Sequence, residues 1–167
     1  MHTPSLHRQR IAAGALAALA TTAITLTGAA PAHAAFPAPG TNFQIQTTIN
    51  GQNYCLSSNT FEQYLTLTFK ACNAADPLQK WRHDLSGAVI SVQHGSYING
   101  EGSLDVGDPP GPVHAHWRHR NSDSKIHNDI VDGRRWWSTA GASGAAGQLT
   151  TTTSQAEGAA FRFAYPV

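Results

Sequence analysis

The sequence predicts an all-β fold, and three observations support this. After position 35, no stretch has apolar residues recurring every three to four positions, as a helix packed on one face requires. Short segments alternate apolar and polar residues instead, which is the period of a half-buried strand. Turn signals that suit tight hairpins separate these segments. Together they predict a barrel or sandwich of short strands.

The elements follow one another along the chain. Residues 43–47 alternate and run into Asn50-Gly51, a turn pair because both residues tolerate positive φ. Residues 65–69 and 113–117 alternate in the same way, and Ser86-Gly87 and Asp132-Gly133 are further turns. The run at 150–153 is rich in β-branched threonine, which favours strands. Residues 161–163 provide a closing strand.

The first 34 residues have the pattern of a secretory signal. Arg8 and Arg10 precede an apolar run at 11–27, and Ala30-Pro31-Ala32-His33-Ala34 offers small residues for cleavage after Ala34. A membrane anchor is the alternative, but threonines and glycines dilute the run. We therefore expect a secreted, extracellular domain at 35–167, with no membrane contact after cleavage. The Ala- and Thr-rich signal points to a bacterial source.

Composition narrows the class of protein. The chain has 167 residues, 13% of them charged, and a formal net charge of +1. A generic nucleic-acid binder would have a clear basic excess, so we expect no nucleic-acid partner. An α/β barrel needs roughly 250 residues and does not fit. One small domain is expected.

The two cysteines, Cys55 and Cys72, form an even pair in a chain expected to reach an oxidising compartment. Such a pair predicts a disulfide. A loop of this size stabilises the fold by roughly 3 kcal/mol in the chain-entropy model. A reactive or metal-binding pair is the weaker alternative, because no C-x-x-C is present.

The sequence also suggests an internal repeat. Segment 72–87 aligns with 120–133, which places Trp81 beside His127, Asn73 beside Asn121 and Gly87 beside Gly133. A third copy places Phe163 beside Trp81. Three degenerate units of about 40 residues would fill the domain.

Tyr54-Cys55-Leu56-Ser57, then Cys72, then Gln79-Lys80-Trp81 resemble the ricin B-type lectin repeat. That family has a C-L-D start, a disulfide within the repeat and a terminal Q-x-W. The resemblance implies a β-trefoil, with three four-stranded units forming a six-stranded barrel capped by three hairpins. In the second unit, Ser103-Leu104-Asp105-Val106 resembles C-L-D-V without its cysteine, and Lys125-Ile126-His127 takes the place of Q-x-W.

The resemblance implies a sugar pocket built from the acid of C-L-D, a stacking aromatic residue and a polar residue before Q-x-W. The first unit has Ser57, Lys70 and Leu78 at these positions, so we expect its pocket to be structural. The second unit keeps an acid. We predict one carbohydrate pocket there, lined by Asp105, His116, Trp117, Arg118 and Asn121.

These residues have other interpretations. Asp105 could order the following turn. Alternation with Val113 and Ala115 favours a core position for Trp117. Trp136 and Trp137 are neighbours on a strand, so one could be exposed as a sugar or anion platform beside Arg134 and Arg135.

His114 and His116 share one face of a predicted strand, a spacing that can chelate zinc or copper. A solvated polar face is the preferred interpretation, and we predict no metal or cofactor. The chain has no G-x-S-x-G, no H-E-x-x-H and no phosphate loop, and we expect no enzymatic activity.

The predicted function is weak, non-catalytic carbohydrate binding by a secreted monomer, with a polysaccharide or glycan as partner. The alternative is an extracellular protein-interaction module such as a β-trefoil protease inhibitor, with the loop at 107–112 as its contact.

Overall fold

A computed structural model describes residues 32–33, 35–61, 64–107, 116–130, 133–142 and 147–165. Nearly all regular structure in this part of the chain is β, which confirms the predicted class. Within the described residues, one 3-10 helix, η1 (Pro77–Gln79), lies between two strands. The strands are β1 (Ala32–His33), β2 (Asn42–Ile49), β3 (Gln52–Phe61), β4 (Tyr64–Ala71), β5 (Trp81–His83), β6 (Val89–Ser91), β7 (Tyr97–Ile98), β8 (Leu104–Asp105), β9 (Arg118–Arg120), β10 (Lys125–Ile130), β11 (Gly133–Ser138), β12 (Thr150–Thr152) and β13 (Phe161–Ala164).

Six of these strands form a closed antiparallel ring. β13 pairs with β2, β2 with β5, β5 with β6, and β9 with β10. A backbone hydrogen bond from Trp117 to Gly87, 3.0 Å, joins β9 to the turn before β6. The bridge of Lys125 with Ala160 joins β10 to β13. Three hairpins extend the ring: β3–β4, β7–β8 and β11–β12.

The chain therefore divides into three units of four strands, as expected: β2–β5, β6–β9 and β10–β13. β1 adds to the edge of β13, where Ala32 lies opposite Ala164. Ala32 and His33 are the described residues of the predicted signal segment, and its other residues lie outside the described part of the chain. No helix in the described part of the chain has the length and apolar character to cross a membrane.

One buried ring anchors each unit at the start of its fourth strand. The indole N–H of Trp81 donates to the carbonyl of Leu56 at 2.9 Å, and that of Trp117 donates to Ile98 at 2.8 Å. Phe161 has no ring donor, and the equivalent carbonyl, that of Trp137, accepts from the backbone N–H of Ala159 at 2.8 Å instead. All three rings are at most 1% exposed: Trp81, Trp117 and Phe161.

This geometry corrects the predicted repeat alignment. Trp117, not His127, is the counterpart of Trp81, and Phe161, not Phe163, is the third member. His127 belongs to β10, the first strand of the third unit. The alignment slipped because the hairpins differ in length: β3 and β4 have 10 and 8 residues, whereas β7 and β8 have 2 each. Residue spacing is therefore not constant between units.

The first unit is held together by its motif residues. The Cys55–Cys72 disulfide is present, as predicted, and joins β3 to the residue after β4. Gln79 is 1% exposed and accepts from the Gln44 amide at 3.0 Å. It also donates to the Ala71 carbonyl at 2.9 Å. The glutamine of Q-x-W thus connects the ring strand β2 to the end of the hairpin, a structural role.

The predicted turns at the start of the chain are confirmed. Asn50 and Gly51 have φ of 51° and 79° and connect β2 to β3. Gly87 has φ of 93° in the turn between β5 and β6. Asp132 lies outside the described residues, and Gly133 begins β11.

Candidate functional site

Asp105 is exposed at the end of β8, on the short hairpin of the second unit. Its carboxylate accepts a hydrogen bond from the Asn99 amide at 3.0 Å. Tyr97 lies directly opposite Asp105 across the hairpin. The side chain most strongly predicted to contact sugar is therefore accessible, and its orientation is fixed by a neighbouring amide.

The Tyr97 side chain lies next to this carboxylate, on the opposite strand of the hairpin. The side chain is only 5% exposed and packs with Ala88 and Ile90 in a small apolar cluster. Burial raises the pKa of the Tyr97 hydroxyl, and the charge and hydrogen bond of Asp105 raise it further. The phenol therefore stays protonated at neutral pH beside the carboxylate.

The strand register gives Asp105 a different position in the repeat from the one predicted. Ile98 pairs with Leu104 as Leu56 pairs with Phe69. Leu104 is therefore the counterpart of Phe69, and the interpretation of residues 103–106 as C-L-D-V was wrong. Asn99 takes the place expected for the acid, and Asp105 takes the place of Lys70. The two polar positions still meet, through the hydrogen bond between Asn99 and Asp105.

The other predicted pocket residues lie elsewhere. Trp117 is 1% exposed, so the predicted contact between its ring and sugar is wrong, and the core interpretation holds. His116 is half-buried and packs over Gly87 near His83. Arg118 is exposed on β9, opposite His127.

Asn121 is also exposed, in the turn after β9, where its side-chain oxygen lies 3.1 Å from Nδ1 of His119. The described contacts join Asp105 to Asn99 and Tyr97 on the β7–β8 hairpin, whereas Arg118 lies on β9 and Asn121 in the turn after it. They do not bring the residues of the predicted pocket into contact with one another.

The two adjacent tryptophans of the third unit are both buried. Trp137 is 0% exposed and packs edge-on against Trp117, with centroids 5.1 Å apart. Trp136 is 2% exposed because the guanidinium groups of Arg120 and Arg134 cover its ring at 4.8 and 5.6 Å. The prediction that one indole could be an exposed platform was wrong, since long arginine side chains can cover an aromatic face.

The alternative metal site involves His114 and His116, of which His116 is described. His114 lies outside the described residues. Within the described ranges, no group of three or more His, Cys, Asp or Glu side chains could hold a metal ion.

Sequence reasoning missed a surface cleft of about 690 Å³ at the end of the first unit. Asp84 is one of the residues that line this cleft. Its carboxylate accepts hydrogen bonds from the Ser86 hydroxyl at 2.7 Å and from the backbone N–H of Ala88 at 2.9 Å. Burial disfavours ionisation of Asp84, but these hydrogen bonds outweigh it and lower the pKa. Asp84 therefore orders the turn. The cleft is lined by Pro39, Gly40, Arg82, His83, Asp84, Leu85, Ser86 and Ile90.

No protein-family model matches the sequence, and no curated protein matches it significantly. Solved structures do match. The β-trefoil lectin of the Vibrio vulnificus hemolysin/cytolysin, solved with N-acetyl-D-lactosamine bound, is 15% identical with a TM-score of 0.61; the match covers 76% of this chain and 96% of that one. The solution structure of the mdaA-1 domain is 14% identical with a TM-score of 0.57; the match covers 80% and 94%. The chain therefore has a β-trefoil fold, as predicted.

Proposed function

We propose that this protein is an exported, non-catalytic carbohydrate-binding domain that binds sugar at the β7–β8 hairpin. The observation that carries the proposal is the exposed Asp105 carboxylate, held by the Asn99 amide at 3.0 Å. The fold is shared with a lectin. Its first unit has the cysteine pair and the Q-x-W of the ricin B-type repeat, with Ser57 in place of the acid, and we propose that the chain is a diverged relative of that family.

The chemistry of the hairpin suits sugar hydroxyls. A carboxylate has about four lone-pair sites, so one bond from Asn99 leaves capacity for adjacent hydroxyl donors. Asn99 is half-buried, accepts from the backbone N–H groups of Glu101 and Ser103 through its side-chain oxygen, and so has a fixed amide. A carboxylate oriented in advance loses less entropy on binding than a freely rotating one. This site has no exposed aromatic platform among the described residues, and so we expect weak affinity.

The test compares two isosteric substitutions that remove the same charge. Asp105→Asn removes the carboxylate of the proposed site, and Glu101→Gln removes an exposed carboxylate from the turn of the same hairpin. Binding to a glycan array and to insoluble neutral polysaccharides is measured for both. We expect Asp105→Asn to weaken binding by roughly tenfold, because hydrogen bonds to a charged group contribute about 1.5–3 kcal/mol. Glu101→Gln should bind as the parent does.

Unchanged glycan binding by Asp105→Asn would remove this hairpin as the site. Absence of glycan binding by the parent protein would overturn the proposed function. The same preparations are assayed against a protease panel, because a protease inhibitor is the alternative function. That alternative depends on residues 107–112, of which only Gly107 is described.

A further inference from the structure

A tripeptide recurs at the fourth strand of each unit. It is Trp81-Arg82-His83 in β5, Trp117-Arg118-His119 at β9, and Phe161-Arg162-Phe163 in β13. The first ring of each is the buried anchor described above. The arginine that follows points the other way, because successive residues of a strand alternate in direction. All three arginines, one in each unit, are exposed: Arg82, Arg118 and Arg162.

The strand register places each arginine at the head of an equivalent row of four residues. Each row starts on the fourth strand of one unit and crosses the first, second and third strands of the next unit. The rows are Arg162–Gln46–Cys55–Lys70, Arg82–Ile90–Tyr97–Asp105 and Arg118–His127–Trp136–Thr152.

Only the arginine is the same in all three rows. The second residue of the row is a glutamine, an isoleucine or a histidine. The third residue is a disulfide-bonded cysteine, a tyrosine or a tryptophan. The side chains next to the arginine thus differ from unit to unit. In addition, an exposed position tolerates most residues. A shared packing partner therefore does not account for the repetition. What the three positions share is an accessible guanidinium group.

The three guanidinium groups have different surroundings that leave each one accessible. Arg82 lines the cleft of about 690 Å³. Arg162 donates to the side-chain oxygens of Asn53 at 3.1 Å and Thr48 at 3.4 Å, which orient its guanidinium without neutralising it. Arg118 lies on the same face of its sheet as Lys125, since both side chains occupy alternate positions of paired strands.

We infer that Arg82, Arg118 and Arg162 are three equivalent binding points for the carboxylate or sulfate groups of an acidic polysaccharide. A guanidinium group presents planar paired donors that match such anions. A polymer with regularly repeated charges can engage more than one unit, and several weak contacts on one molecule multiply. The choice of a polysaccharide among polyanions rests on the proposed function. Arg82 shares its row with Asp105, whereas Arg118 and Arg162 head the other two rows, and the three arginines extend binding to a charged ligand.

The experiment measures binding of the purified protein to heparin and to polygalacturonate, with neutral dextran and single-stranded DNA as comparison ligands. The variants are Arg82→Gln, Arg118→Gln and Arg162→Gln, singly and combined. The matched control is the triple variant Lys80→Gln, Arg134→Gln, Arg135→Gln, which removes the same charge from positions that do not recur. Unfolding midpoints are measured for every variant so that only folded protein is compared.

We expect each single substitution to weaken acidic-polysaccharide binding by about threefold, as for an exposed ion pair. The combined arginine variant should lose roughly thirtyfold, since separate contacts multiply. The control variant should lose much less, and binding to neutral glycans at Asp105 should be unaffected by the changes at Arg118 and Arg162, which lie in other rows.

Three results would overturn the inference. They are an arginine triple variant that binds as the parent does, a control variant that loses as much, and binding to single-stranded DNA as tight as to the acidic polysaccharides. Loss of acidic-polysaccharide binding in the arginine variant with no neutral-glycan binding in the parent would contradict the Asp105 site while upholding the arginine sites.

Discussion

The ring of Phe36 stacks on the imidazole of His83, with centroids 4.7 Å apart and planes inclined by only 5°. Phe36 also packs against Phe163 at 4.6 Å and edge-on against His119 at 6.2 Å. His83, His119 and Phe163 are the third residues of the three recurring tripeptides. One aromatic ring, two residues after the predicted cleavage site, therefore contacts all three units at once and closes one end of the barrel.

Replacing Phe36 by alanine should destabilise the whole fold. The substitution removes contacts with all three units, and we expect a loss of about 2–4 kcal/mol, somewhat below that of a fully buried phenylalanine, because Phe36 is only partly buried. Phe36→Leu is the control, because it keeps an apolar plug and should lose less than half as much. Urea unfolding checks both. A loss below about 0.5 kcal/mol for the alanine variant would contradict this role.

His83 should make the protein less stable in mild acid. Burial lowers the pKa of His83 below its ordinary value of 6.5, and His116 adds to this, while Asp84 and the backbone of Gly87 oppose it. Between that depressed pKa and 6.5, the folded state binds fewer protons than the unfolded state. The free energy of unfolding should therefore fall as the pH drops below 6.5.

The measurement is the unfolding free energy from pH 7 to pH 5 for the parent and for His83→Phe, which copies Phe163 of the third unit. We expect a flatter profile in the variant. Proton NMR titration of His83 should give a pKa below 6.5. An unchanged profile together with an ordinary pKa would show that burial does not control this group.

The indole N–H of Trp117 donates to the carbonyl of Ile98 at 2.8 Å. The contribution of this hydrogen bond to stability can be measured by comparison with a second buried tryptophan. Trp117→Phe leaves a buried carbonyl unpaired, a cost of about 1–3 kcal/mol beyond the lost ring volume. Trp137 is equally buried, but its indole N–H has no hydrogen-bond partner among the described residues. Trp137→Phe makes the same change in volume without that cost. Equal losses in chemical denaturation would mean that the Trp117 hydrogen bond contributes nothing to stability.

Gly102 is expected to tolerate no side chain. Its φ is +81°, and an added Cβ would lie 2.9 Å from Cγ2 of Thr151. Gly95 has φ of +69° with nothing within 4 Å, so Gly95→Ala isolates the backbone strain, about 1 kcal/mol. Gly102→Ala should cost at least about 1 kcal/mol more, because overpacking adds to that strain.

A second substitution separates the clash from the strain at Gly102. Thr151→Ser removes Cγ2 but keeps the hydroxyl that donates to the Glu101 carbonyl at 3.3 Å. Thermal unfolding of the double variant should recover most of the difference between Gly102→Ala and Gly95→Ala. If there is no recovery, the cost arises from the backbone alone.

Much of the fold could be predicted because its signals are local. The turn at Asn50-Gly51, the alternation in β2 and β4, and the cysteine pair each depend on residues close together in the sequence. The equivalence of the units was mispredicted, because it depends on hairpins of unequal length. The tripeptides at Trp81, Trp117 and Phe161 were the signal that could have corrected it, since they align without a gap.

The candidate site was predicted less well, for a related reason. Asp105 was expected to be available and is exposed, but the partners assigned to it were chosen by their positions in the chain. The structure gives it Tyr97 and Asn99 instead, the residues across its own hairpin. Trp117 could not be assigned from sequence alone, because an aromatic residue beside cations fits both a core and a binding surface.

The sequence by itself determined the all-β class, the disulfide and the position of the main turns, because strand alternation and turn conformation are set by neighbouring residues. The tertiary structure decided which residues are equivalent, which rings are buried and which charges stay exposed. Those properties depend on strand register, where a shift of one residue exchanges the buried and exposed faces. Register places the rings of Trp81, Trp117 and Phe161 inside the barrel and the three arginines that follow them on its surface.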